Sequence, residues 1–169
     1  MIGNDIIDLE LASKQSNYQR KGLIEKLFNL PEQQLILGAD QPEIFFWNLW
    51  SRKEAAYKIY HRATKIRAFN PKQFSCELPF YINGILLGKV VTNHDFYWVR
   101  TTINSSYIYS EAVLNSEDFH NISEVDLVNI EKDLNGIPYH KISNNPISVT
   151  HHGNFERRIQ LNRQIEPRL

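Results

Sequence analysis

The sequence predicts an α+β fold: an antiparallel sheet packed against a long central helix. Three observations carry that prediction. An apolar strand opens the chain, one long amphipathic helix fills its first half, and period-two alternation broken by turn signals runs through most of its second half. The 169 residues are read as a single domain, residues 1–169, long enough to bury a core without cross-links. Apolar residues make up 42% and charged residues 22%, the composition of a globular chain. Lys plus Arg equals Asp plus Glu at 19 each, so the chain as a whole lacks the electropositive field of a nucleic-acid binder, and no such partner is expected. The lone Cys76 excludes an internal disulfide. No apolar run reaches the roughly 20 residues of a membrane span, and no charged-then-apolar leader is present. The expectation is a cytoplasmic protein without a membrane partner.

The first strand spans about residues 2 to 9, "IGNDIIDL", with Ile6, Ile7 and Leu9 suited to a strand interior. Residues 10 to 38 read as helical pieces, with Pro31 in a first turn and Gly38 as a stop. Asp40 and Glu43 then form an acidic capping box ahead of a helix from Ile44 to about His61, with Phe46, Trp50 and Tyr57 on its apolar side. Beyond it the period becomes two. Phe74, Cys76 and Leu78 alternate with polar neighbours, and Asn83-Gly84 between apolar runs is a hairpin signal. "FYWVRTTI" and "YIYSEAVL" flank Asn104-Ser105-Ser106 as a second hairpin. Residues 123 to 134 fit a further helix, with Ser123 as cap, Leu127, Ile130 and Leu134 on one side, and Gly136 past the end. "PISVTHH" is a last strand, with "FERRIQL" placed to pair with it.

Three places in this outline carry chemistry. Asp5 lies inside the first apolar strand, where a carboxylate must be hydrogen-bonded, paired or bound to a metal. Asp8, three residues on, points to the opposite face of an ideal strand and is left out of any site with Asp5. On the long helix Glu54 and Lys58 are neighbours at i, i+4. Alone they read as a surface ion pair worth a few tenths of a kcal/mol. Trp50 on the same face and Ala55-Ala56 beside it shift that reading towards burial against another element. In "ISVTHHGN", Ser148 and Thr150 share one side of a strand with His152, and His151 lies on the other. The two histidines lack a second ligand pair at workable spacing, so no zinc site is expected.

In this order the pieces resemble the 4′-phosphopantetheinyl transferase superfamily. They are Gly3-Asn4-Asp5-Ile6-Ile7, then Trp50-x-x-Lys53-Glu54-Ala55-x-x-Lys58, then Gly136-Ile137-Pro138, then Ser148-Val149-Thr150-His151. Length and the position of the Asp motif are closest to the holo-acyl-carrier-protein synthase type. The chain departs from the family pattern at Asn4, where an apolar residue is usual, and at Leu49, where an Arg often precedes the helix aromatic. It also exceeds the smallest members in the hairpin region of about 80 to 115.

The resemblance implies transfer of the phosphopantetheine arm of coenzyme A to a serine of an apo acyl or peptidyl carrier protein, as in fatty acid biosynthesis, releasing adenosine 3′,5′-bisphosphate. It implies Mg2+ as cofactor, held by Asp5 and Glu54, with Lys58 touching phosphate oxygens as charge develops on the leaving group. The serine proton goes to Glu54 or to water on the metal. Ser148, Thr150 and His151 would lie near the nucleotide phosphates, and Lys65 and Arg67 are candidates for the 3′-phosphate. Arg20, Lys21 and Lys26 offer a basic face to an acidic carrier protein, and self-association as a homotrimer would complete the pocket. Two other readings stand beside this one: a catalytically silent relative that binds coenzyme A or a carrier protein, and a metal-dependent phosphohydrolase acting on a nucleotide.

Overall fold

A computed structural model describes residues 1–162; residues 163–169 of the expected domain lie outside the described residues. The chain begins with β1 (Ile2–Asp8), followed by the short helices α1 (Leu9–Gln15), α2 (Leu23–Leu27) and α3 (Leu30–Leu37), and then the long α4 (Pro42–Thr64). Strands β2 (Ser75–Cys76), β3 (Phe80–Ile82), β4 (Ile85–Val91), β5 (Phe96–Ile103) and β6 (Tyr107–Val113) complete a six-stranded antiparallel sheet. Its order is β1-β6-β5-β4-β2, with β3 also paired to β4. A second sheet, in the order β10-β11-β7, is built from β7 (Ile122–Glu124), β10 (Ile147–His152) and β11 (Phe155–Leu161). The pair β8 (Ile130–Lys132) and β9 (Pro138–His140) forms a separate ribbon. The expected α+β architecture, sheet against long helix, is what the chain adopts.

Helix α4 lies across the large sheet, meeting β1, β6 and β5 and more lightly β2 and β4, and α3 packs against it as well. Its buried residues therefore run nearly all the way round, from Phe46 and Trp47 to Ile59. Trp50 and Tyr57, expected on the apolar side with Phe46, are half-buried, and each packs on the ring of Phe69. The helix starts at Pro42, so the cap position falls on Gln41, one residue past Asp40. No side chain caps it, and the expected Asp40–Glu43 capping box does not form. The capping box that does form belongs to α3. Asn29 accepts from the Glu32 amide at 3.1 Å, and Glu32 accepts from the Asn29 amide at 3.0 Å.

Two consecutive charges of α4 are fully buried, and both are satisfied by the elements around them. Arg52 donates to the carbonyls of Glu77 and Lys89 at 3.0 and 3.1 Å, fastening the ends of β2 and β4. Lys53 pairs with Glu32 at 2.7 Å and donates to the Pro71 carbonyl at 3.0 Å. Glu32 also accepts from the Cys76 amide at 2.8 Å. Removing one member of such a pair strands the other charge in the core, a loss of roughly 3–5 kcal/mol.

The hairpins fall where the turn residues put them. Asn83 and Gly84 both have positive φ (49° and 82°), the backbone of a type I′ turn between β3 and β4. The β5–β6 turn is held by the Asn104 side chain, which accepts from the amides of Ser106 and Tyr107. β10 and β11 pair as expected, Ile147 opposite Gln160. β2 is shorter than the expected strand, so Phe74 and Cys76 are buried while Leu78 lies exposed beyond its end.

The helix expected at residues 123 to 134 is absent. Its intended apolar side has nothing to pack on, and Leu127 and Leu134 are exposed. Ile122–Glu124 instead adds to β11, and Asp133 turns the chain by accepting from the amides of Asn135 and Ile137. Gly136, at φ 76°, sits in the β8–β9 turn rather than at a helix end.

One glycine sets the distance between the helix and the sheet. A Cβ on Gly3 would sit 1.9 Å from the backbone oxygen of Ala55, an atom that cannot swing aside. Gly3→Ala should therefore push α4 off β1 and cost about 1–3 kcal/mol or more, read as a lower urea midpoint. An unchanged midpoint would show that the contact is not tight.

Candidate active site

The approach at Gly3 places the same face of β1 against α4. From that face Asp5 meets the helix where Glu54 and Lys58 project, and the Asp5 carbonyl accepts from Ser51 Oγ at 3.4 Å. The Lys58 ammonium does not simply pair with Glu54. It donates to the main-chain carbonyls of Asn4 on β1 and, at 3.0 Å, Val149 on β10, and so bridges two strands from the helix.

The free edge of β1 is closed by side chains of β10 instead of by a strand ladder. Ser148 Oγ accepts from the Asn4 amide at 3.0 Å and donates to Asn4 Oδ1 at 2.7 Å. Thr150 Oγ1 accepts from the Ile6 amide at 3.2 Å and donates to Asp5 Oδ1 at 3.3 Å. His152 Nδ1 accepts from the Asp8 amide at 2.9 Å. Three alternate residues of one strand thus serve three alternate amides of the other. Asp8 faces away from Asp5, accepting from the amides of Leu11 and Asn154 at the start of α1 and in the β10–β11 turn. Those two bonds hold its carboxyl below the ordinary range.

Asp5 and Glu54 line one cleft of about 560 Å³, together with Trp47, Trp50, Arg20 and His151. All of these come from one chain. Burial pushes the Asp5 carboxyl up to about 6 despite the neighbouring Lys58 charge. Burial, and then the Asp5 charge, push Glu54 up to about 7. Lys58 is drawn down by burial, with both acids opposing the shift. Asp5 Oδ2 is buried and has no hydrogen-bond partner among the described residues. Asp5, with an orphaned oxygen, and Glu54, raised in part by the Asp5 charge, form an all-oxygen donor set for a hard divalent cation. Mg2+ needs only one or two carboxylates, with water and phosphate oxygens completing its shell, so these residues fit it. Among the described residues no cluster of three or more His, Cys, Asp or Glu assembles, as a zinc site would require.

Of the remaining predicted residues, Ser148 and His151 line a neighbouring pocket of about 290 Å³. His151 is exposed and borders both this pocket and the cleft. Lys58 and the segment Gly136–Pro138 line the pocket as well. Lys65 pairs with Asp133 at 3.5 Å, and Arg67 donates to the Asn135 carbonyl, so both tie the end of α4 to the β8–β9 turn. Ser148 and Thr150 are buried, with their hydroxyls engaged by β1 as described. Arg20, Lys21 and Lys26 are exposed, Arg20 at the rim of the cleft.

Two residues that sequence reasoning missed also line the smaller pocket. Arg62 donates to the carbonyls of Pro138 and Ile147, while its Nε and the His61 Nε2 are buried without partners among the described residues. Their signal was available: at three and four residues beyond Lys58 they continue its face of the helix.

The family model for the 4′-phosphopantetheinyl transferase superfamily matches residues 1–111, a span that contains Asp5, Glu54 and Lys58 and ends within β6. No curated protein matches the chain. Among solved structures, the crystal structure of Thermotoga maritima holo-acyl-carrier-protein synthase is similar at a TM-score of 0.48 and 16% identity. That match covers 94% of this chain and 81% of that one. Among the described residues no helix is long and apolar enough to cross a membrane.

A carboxyl whose folded pKa is raised keeps a proton that the unfolded chain has already released, so its contribution to stability declines as pH rises towards that folded value. Without divalent cations, stability should therefore fall through about 6 for Asp5 and about 7 for Glu54, relative to Asp5→Asn and Glu54→Gln proteins. Thermal midpoints of the three proteins across that range give the comparison. A wild-type advantage that grows with pH would contradict the electrostatics described.

Proposed function

The chain belongs to the 4′-phosphopantetheinyl transferase superfamily, and from that premise we propose that it transfers the arm of coenzyme A to a serine of an apo carrier protein in a Mg2+-dependent reaction. The observation that carries this reading is the shared cleft of Asp5 and Glu54, with an unpartnered Asp5 oxygen and the Lys58 charge behind it. Asp5 and Glu54 would hold the cation. A cation bound there supplies charge neutralisation for the pyrophosphate as the nucleotide departs.

The chain's own groups divide the rest of the work. In the transfer, the serine oxygen bonds to the phosphorus that carries the pantetheine arm, and the pyrophosphate P–O bond breaks. Adenosine 3′,5′-bisphosphate leaves, and the hydroxyl proton passes to Glu54, the carboxylate that shares the cleft with Asp5. Lys58 keeps a positive charge behind both acids and, with two of its donors given to main-chain carbonyls, has one left for a phosphate oxygen. His151, between the two pockets, faces the nucleotide phosphates, and Lys65 and Arg67 stand near the end of the β8–β9 turn to meet the 3′-phosphate. Ser148 and Thr150 act from behind the site. The carrier protein meets the exposed Arg20, Lys21 and Lys26, and the protein works in the cytoplasm, assembled as a homotrimer.

Incubation with coenzyme A, Mg2+ and a panel of apo carrier proteins should add the phosphopantetheine arm, read by intact mass, and a chelator should stop it. Asp5→Ala and Glu54→Ala should abolish the addition while circular dichroism stays unchanged. Lys58→Ala should slow it by about 10²-fold. Nucleotide hydrolysis without any carrier, or full turnover in both carboxylate variants, would overturn the reading.

A further inference from the structure

We infer that Thr150 is the positioning residue for Asp5: its hydroxyl holds one carboxylate oxygen in place so that the other is left for a divalent cation. The inference rests on the metal reading of Asp5 and Glu54.

The argument begins from the hydrogen-bond capacity of a hydroxyl, one donor and two acceptor sites. Thr150 is buried, and its oxygen is fixed by the Ile6 amide at 3.2 Å, one residue beyond Asp5. Its only proton is directed at Asp5 Oδ1, 3.3 Å away. The β-branched side chain has few rotamers available, so the backbone of β10 is coupled firmly to the carboxylate of β1.

Ser148, two residues earlier, supplies the comparison. It makes the same two kinds of bond, but both go to Asn4, and the network closes there. Asn4 Nδ2 goes on to the Tyr109 hydroxyl and the Arg157 carbonyl, each at 3.4 Å, and Asn4 is fully buried. Around Thr150 the network stays open. Asp5 Oδ1 is occupied, Asp5 Oδ2 has no partner among the described residues, and the cleft that Asp5 lines is shared with Glu54. A clamp serving only the fold would have no use for a carboxylate where Asn4 shows that an amide closes the network. Groups that orient a metal's ligands affect affinity almost as strongly as the ligands themselves.

Mn2+ binding, followed by electron paramagnetic resonance without coenzyme A or carrier protein, tests this directly. Thr150→Val keeps the shape and removes the hydroxyl. Thr150→Ala is measured beside it, so that a folding failure of one leaves the other to decide. Either folded variant should bind Mn2+ roughly 10–100-fold more weakly, and Thr150→Ser should recover most of the affinity. In the transfer assay the Mg2+ concentration for half-maximal rate should rise while kcat at saturating Mg2+ is largely retained. A merely structural role would lower the thermal midpoint without moving that concentration. Wild-type Mn2+ affinity in both hydroxyl-free variants, with affinity lost in Asp5→Ala, would overturn the Thr150 assignment alone. Wild-type affinity in Asp5→Ala as well would overturn the metal site and this inference with it.

Discussion

The close approach of α4 to β1 is the constraint on which the rest of the molecule depends. Gly3 has no side chain, and Ala55 and Ala56 have almost none, so helix and strand come together where any larger residue would hold them apart. At that separation Glu54 reaches the cleft that Asp5 lines, and Lys58 reaches past β1 to a carbonyl of β10. The second sheet is thereby drawn against the first strand of the large one. Site and architecture share a single contact.

That contact carries an electrostatic tension. Two acids sit in a poorly solvated corner, both raised by burial and Glu54 also by the Asp5 charge, an arrangement that costs folding free energy. The surroundings offset it with neutral bonds of good geometry. The hydroxyls of Ser148 and Thr150 and the imidazole of His152 satisfy three amides that no strand pairs. The same economy of polar groups appears on the far side of α4, where Arg52, Lys53 and Glu32 are buried but fully engaged. The helix is thus held on one side by a saturated network and on the other by one left open at Asp5.

Much of this was legible in the chain itself, because the responsible signals are local. The acid among the apolar residues of β1, the long helix with Glu54 and Lys58 one turn apart, and Asn83-Gly84 all follow from spacing or from turn chemistry. The alternation that puts Ser148, Thr150 and His152 on one side of β10 was visible too. Their partners were not: Asn4 and Ser148 lie 144 residues apart, and no local pattern encodes which edge a hydroxyl will meet. Residues 123 to 134 misled for the opposite reason. Leu127, Ile130 and Leu134 have helical spacing, but spacing matters only where a core faces it, and here Asp133 and Gly136 impose a turn first. Lys65 and Arg67, read from the sequence as candidates for the 3′-phosphate, each hold the β8–β9 turn, a contact no local pattern announces.

The bridging of two strands by Lys58 bears on how such a protein would drift once relieved of its task. The lysine is a tie-bar, and discarding it would leave the carbonyls of Asn4 and Val149 unserved, so selection for a sound fold preserves it in working and idle descendants alike. The two acids tie no strands together; their part in the fold is to offset the burial of the Lys58 charge.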